Sequence, residues 1–211
     1  FHLIENTQKV LSEIVDVLLK FESVDQVEGM EETIAYIGSQ YNHAKKVTDS
    51  VGFSTLPTSV VHGDWHPGNM LYQDGEIVAV IDFDSLQVAQ RITDLANGVL
   101  QFSMRMGIDD VSKWPDSFRG HTIRSMVLGY NAFTTSPLFP SELSIIPPLM
   151  KEALIVESVF HVHKTGSFGT IVGSDFLRMI ARKLKWLDEK TEQIIEVIPI
   201  ITHKDMFFYL I

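Results

Sequence analysis

The sequence predicts a mostly helical α+β domain, and three observations carry that expectation. Amphipathic stretches at helical spacing fill most of the chain. A single short segment, 59–82, switches to β-branched and alternating residues around a tight-turn signal. Pro and Gly then punctuate the rest into helix-sized pieces.

Taken in order, residues 3–20 place Leu3, Val10, Leu11, Ile14, Leu18 and Phe21 along one helical face. A second helix is expected over 27–48, ending in the polar run Asn42-His43-Ala44-Lys45-Lys46, with Gly52 to Pro57 as a connection. Ser59-Val60-Val61 reads as a short strand leading into the loop His62–Asn69. Met70-Leu71-Tyr72 and Ile77 to Ile81 are strand-like and flank Asp74-Gly75, so they form a hairpin that ends in Asp82-Phe83-Asp84. Everything beyond reads as helix, over 93–106, 116–133, 141–164 and 174–188. Pro147-Pro148 starts a helix afresh rather than lying inside one. Gly166 to Gly173 is a connection before a helix capped by Ser174 or Asp175. The aromatic and methionine residues of 102–106 and 126–133 are expected in the core, and Lys183, Lys185 and Lys190 on a solvated face. With no internal repeat and no boundary signal, 1–211 reads as a single domain.

Composition narrows the function classes. The 211 residues carry a formal charge of -10, which disfavours a nucleic-acid backbone as partner. No apolar run is long enough for a membrane span, and Phe1 to Glu5 lacks the basic flank of a secretory signal. The chain has 0 cysteines, which removes disulfides, thiolate metal sites and cysteine nucleophiles and points weakly to the cytoplasm. It opens on Phe1 rather than methionine, so a piece of something longer is expected. The apolar tail Met206 to Ile211 is expected to pack on the domain's own core.

The chemistry is concentrated in 59–84. Asp64 lies mid-loop, where a carboxylate can be held rigidly and still face a cleft. Asn69 closes the loop and Asp82 ends the hairpin that follows. An antiparallel hairpin brings its two ends side by side, so Asn69 and Asp82 can converge on one cation. Amide and carboxylate oxygens suit magnesium.

His62-x-Asp64-x-x-x-x-Asn69 matches the catalytic-loop pattern of protein kinases. The whole block His62-Gly63-Asp64-Trp65-His66-Pro67-Gly68-Asn69, the hairpin, Ile81 to Asp84, and Asp94-Leu95-Ala96 resemble the aminoglycoside phosphotransferase and choline kinase superfamily more closely. That resemblance covers 59–97. It implies the C-terminal lobe of a protein-kinase-like fold and a kinase acting with ATP and Mg2+ on a hydroxyl of a small-molecule acceptor. It makes Asp64 the catalytic base, Asn69 and Asp82 the magnesium ligands, and His62 a brace for the loop. Asp94 would begin a helix and tie the catalytic loop down. His66 stands where many protein kinases carry a lysine near the transferred phosphate, which leaves a cofactor contact open to it. Asp84 replaces the glycine of the protein-kinase Asp-Phe-Gly, a departure that favours the small-molecule branch.

Such a kinase also uses an N-terminal lobe with a phosphate loop and a strand lysine. Residues 1–61 read as helices instead, so that lobe appears absent here, and this chain alone is expected to bind ATP poorly. Gly166 to Gly173 lies on the wrong side of the motif to supply it. Two other readings stay open: a kinase-like lobe kept as a binding module, and a metallohydrolase using His62, Asp64, His66, Asp82 and Asp84. His161 and His163 point in different directions on a helix and are expected to be unrelated. Asp109, Asp110, Glu152 and Glu157 could face a cationic acceptor, though surface charge is the commoner role.

Overall fold

The computed structural model describes residues 6–108 and 110–197, so Leu3, Asp109 and the 206–211 tail lie outside the described residues. Among the described residues, eight α-helices and six strands follow in the order α1 (Thr7–Leu18), α2 (Val24–Val27), α3 (Met30–Ser50), β1 (Thr58–Val61), β2 (Met70–Gln73), β3 (Glu76–Val80), β4 (Gln87–Gln90), α4 (Ile92–Ser103), α5 (Gly120–Phe133), α6 (Pro140–Ser144), α7 (Ile146–Thr165), β5 (Ser167–Phe168), β6 (Ile171–Val172) and α8 (Gly173–Val197). The protein is mostly helical, with three small antiparallel two-stranded sheets, as the sequence predicts for an α+β chain.

One helix organises the packing. α7 is apolar around nearly its whole circumference, the signature of a helix surrounded by others. It packs on α1, α3, α4 and α8. Val10, Leu11, Ile14 and Leu18 of α1 are buried as their spacing predicts. Pro147 and Pro148 occupy the first turn of α7, where their missing N–H groups have no intrahelical partner to lose. The predicted helix over 141–164 is therefore two helices, α6 and α7, parted at Ile145. No helix among the described residues is long and apolar enough to cross a membrane.

Other expectations change. Residues after 84 do not all turn helical: β4 pairs antiparallel with β1, matching Val61 to Gln87 and Thr58 to Gln90. Its partner lies far back in the chain, so no local hairpin signal announces it. Met106 (66% exposed) and Phe133 (92% exposed) lie outside the core they were assigned to. Lys183 is not on a solvated face but fully buried, with Nζ donating to the carbonyls of Arg105 and Pro115 at 2.8 Å each and standing over the Phe118 ring. Desolvation pushes its pKa down to about 8. Together with Arg182, which donates to Asp116 and to the Val111 carbonyl, it fastens the 104–119 connection to α8. Gly166 to Gly173 forms a tiny hairpin of β5 and β6, and its Phe168 stacks on Phe176 with ring centres 4.1 Å apart. His161 and His163 are indeed unrelated: one ring meets Phe168, the other reaches Glu13 at 3.0 Å.

The β elements near the loop carry an exposed apolar surface. Val60 and Val88, directly paired across β1 and β4, are 65% and 72% exposed. Leu71, Tyr72, Ile77 and Val78 of the β2–β3 hairpin are about as open.

Candidate active site

The 62–69 loop is held from both sides. At its start, Asp94 in the first turn of α4 accepts from the His62 N–H at 2.5 Å and from the Gly63 N–H at 3.0 Å. One carboxylate thus satisfies two adjacent backbone donors and fixes where the loop leaves β1. Gly63 adopts φ +80°, and a side chain there would run into the Ser85 carbonyl, so the position requires glycine. The Trp65 indole lies over α4 at Gly98, where an added Cβ would overlap it.

His62 is the second tie. Its ring is buried, and Nε2 lies 2.9 Å from the Ile81 carbonyl, the peptide that leads into Asp82. A carbonyl only accepts, so Nε2 carries the proton and Nδ1 is left a bare acceptor. That Nδ1 is buried with no partner among the described residues, and the ring itself meets those of Trp65 and Phe83. Asp82 itself holds a left-handed φ of 63°, a conformation that costs an L-residue about 1–2 kcal/mol.

The hairpin does what its turn signal predicts. Asp74 and Gly75 both take positive φ, which suits the right-handed twist of the strands. Met70 pairs with Val80, and one residue further the Ile81 N–H donates to the Asn69 carbonyl at 3.0 Å. Asp82 therefore follows the direct partner of Asn69. The Asn69 amide turns the other way, with Nδ2 donating to the Asp64 carbonyl at 2.9 Å and to Asp64 Oδ2 at 3.2 Å. Asp64 is 44% exposed at its side chain, open to one side and anchored on the other.

His66 is turned onto Asp64. Its Nδ1 accepts from the Gly68 N–H at 3.0 Å, which leaves the proton of the neutral ring on Nε2, 3.5 Å from Asp64 Oδ2. Among the described residues no three or more His, Asp or Glu side chains gather at metal-binding spacing.

Of the described acids that might face an acceptor, Glu157 is the one whose charge is coupled to Asp64. Glu152 is fully buried and accepts from Thr48 at 2.9 Å. Asp110 is exposed and caps a short turn through Ser112. Glu157 on α7 instead accepts from Gln101 Nε2 of α4 at 2.5 Å. Burial first, then the charge of Asp64, pushes its carboxyl up to about 7. A lone acid inside the apolar run Ala153 to Phe160 was the available sequence signal.

The hold of Asp94 on the loop gives a direct expectation. Asp94→Ala leaves two backbone donors without acceptors, which costs about 1–3 kcal/mol of stability. Turnover should fall at least about tenfold beyond that loss, because the loop that carries Asp64 loses its register. Unchanged turnover in the folded variant, checked beside a melting curve, would reduce Asp94 to a purely structural role.

A family model described as the phosphotransferase enzyme family (APH) matches residues 13–120. The match spans half of the chain, and the protein belongs to this family of phosphotransferases. No curated protein matches the sequence.

Proposed function

We propose that this chain is the catalytic C-terminal lobe of a protein-kinase-like fold and moves the terminal phosphoryl group of ATP to a hydroxyl of a small molecule. The observation that carries the reading is Asp64, half-open and bonded to Asn69, with Asp82 delivered next to Asn69 by the hairpin register. Asp64 accepts the proton of the acceptor hydroxyl as its oxygen bonds to phosphorus and the bond to the bridging oxygen of ADP breaks. The Asn69 Nδ2 contact keeps one carboxylate oxygen oriented while that proton arrives. His66 Nε2 stands 3.5 Å from the same oxygen, which leaves a phosphate contact open to it.

The donor set fits magnesium: with Nδ2 committed to Asp64, Asn69 Oδ1 is a hard oxygen, and the Asp82 carboxylate follows one residue beyond the strand partner of Asn69. When bound, magnesium offsets negative charge on the phosphates. The metallohydrolase reading is disfavoured because, among the described residues, no three or more His, Asp or Glu side chains gather at metal-binding spacing. The exposed apolar surface of Val60, Val88, Leu71, Tyr72, Ile77 and Val78 suits the seat of a nucleotide-bearing N-terminal lobe.

Magnesium dependence tests this. In protein carrying that lobe, Asn69→Ala and Asp82→Ala should each raise the magnesium needed for half-maximal phosphoryl transfer at least about tenfold. An unchanged magnesium response in both would remove them as ligands. The 211-residue chain alone should bind ATP poorly by titration calorimetry, and tight binding would contradict the need for a partner lobe.

A further inference from the structure

We propose that the cavity between the start of α5 and the second half of α8 is a binding site for a small aromatic carboxylate. Its volume is about 170 Å³, and Phe118, Ile123, Trp186 and Ile194 make most of its wall apolar. Roughly 150 Å³ of apolar space is enough for a benzene-sized ring. The wall is built independently of any ligand. The Phe118 ring is buried, meets Trp186 with ring centres 5.5 Å apart, and has Lys183 Nζ 5.2 Å from its own centre.

Charge selects the ligand. Lys190 and Gln193 supply the polar groups of the wall. The neighbours of Lys190 at three and four residues along α8 are Trp186, Leu187, Gln193 and Ile194, none of them acidic. Among the described residues Lys190 forms no ion pair, and Asp116, two residues before Phe118, is already held by Arg182 at 2.8 Å. Gly120, also on the wall, opens α5, which has no acid in its first turn and no side chain capping its start. That end adds partial positive charge to the Lys190 ammonium. The net charge of -10 leaves this local field standing, because charges beyond about 10 Å are screened at about 0.1 M salt. A ring for the apolar wall and a carboxylate for Lys190 describe one compact ligand. None of these residues takes part in the proposed phosphoryl transfer, so the site stands apart from the kinase reading.

The test compares 4-fluorobenzoate with 4-fluorobenzamide, which differ in charge but hardly in shape, by fluorine NMR titration of the dilute 211-residue chain. The acid should bind with a dissociation constant of about 1 mM or tighter, and at least about tenfold more tightly than the amide. Lys190→Gln should bring the two probes within about threefold of each other by weakening the acid alone. A Cβ at Gly120 meets no atom within 4 Å, so Gly120→Leu has open space to fill and should weaken both probes at least about fivefold. Melting curves check that each variant folds, and Lys190→Gln decides alone if the bulkier variant does not. Binding of neither probe, equal affinity for the two, or a preference for the acid that survives Lys190→Gln overturns the assignment. Binding untouched in folded Gly120→Leu overturns it as well, by placing the probes elsewhere.

Discussion

Asp64→Ala should lower phosphoryl transfer at least about a hundredfold while leaving the fold intact, because a positioned base contributes about 10²–10⁴ in rate. The lost carboxylate does little structural work. Asn69 Nδ2 also donates to the Asp64 backbone carbonyl, and that bond survives the substitution. The side chain is 44% exposed, so removing it opens no sealed cavity. Stability should therefore shift by no more than about 0.5 kcal/mol, as for an ordinary surface position. On the proposed kinase reading, ATP affinity should change little. Turnover within a few-fold of wild type would show that another group takes the proton.

Arg91→Ala should be the most damaging single change to stability. Arg91 is 6% exposed and Glu142 is fully buried, and they form a two-pronged pair, Nε to Oε1 at 2.9 Å and Nη2 to Oε2 at 2.8 Å. The guanidinium also donates to the carbonyls of Ser136 at 2.6 Å and Pro137 at 2.9 Å. Removing it strands a carboxylate away from water and leaves the Pro137 carbonyl without its donor, while Ser136 keeps only the Thr134 hydroxyl. Breaking a buried pair in this way costs about 3–5 kcal/mol. For a domain of this size that corresponds to a melting point lower by roughly 10 °C. Replacing both residues with leucine should cost less than Arg91→Ala, because no charge is then left unpaired. If the double variant melts lower than the single one, the penalty comes from lost packing rather than from stranded charge.

Much of this site was legible because its signals are local. The Asp74-Gly75 turn fixes the hairpin, and the hairpin fixes the neighbourhood of Asn69 and Asp82 by strand pairing alone. His62 as a brace and Asp94 as an anchor came from the family resemblance, and the geometry gives each a named contact. What the sequence hid depends on distant partners. β4 has no pattern of its own and exists because β1 offers an edge. Lys183 looks like a surface residue until two carbonyls from the 104–119 connection are brought over it. Glu157 resembled any helix acid, and its bond to Gln101 forms only because α4 packs on α7. Met106 and Phe133 show the converse failure, since helical spacing says which residues share a face but not whether anything covers it.

The two ribbons beside the catalytic loop bear on how the protein must be handled. Each has only two strands, so each presents unpaired backbone along its outer margins and greasy side chains above them. Such margins invite pairing with another molecule. Purified by itself, the chain should scatter light and form soluble clusters as its concentration or the salt rises. Exchanging Val60 and Val88 for threonine should restore clear solutions.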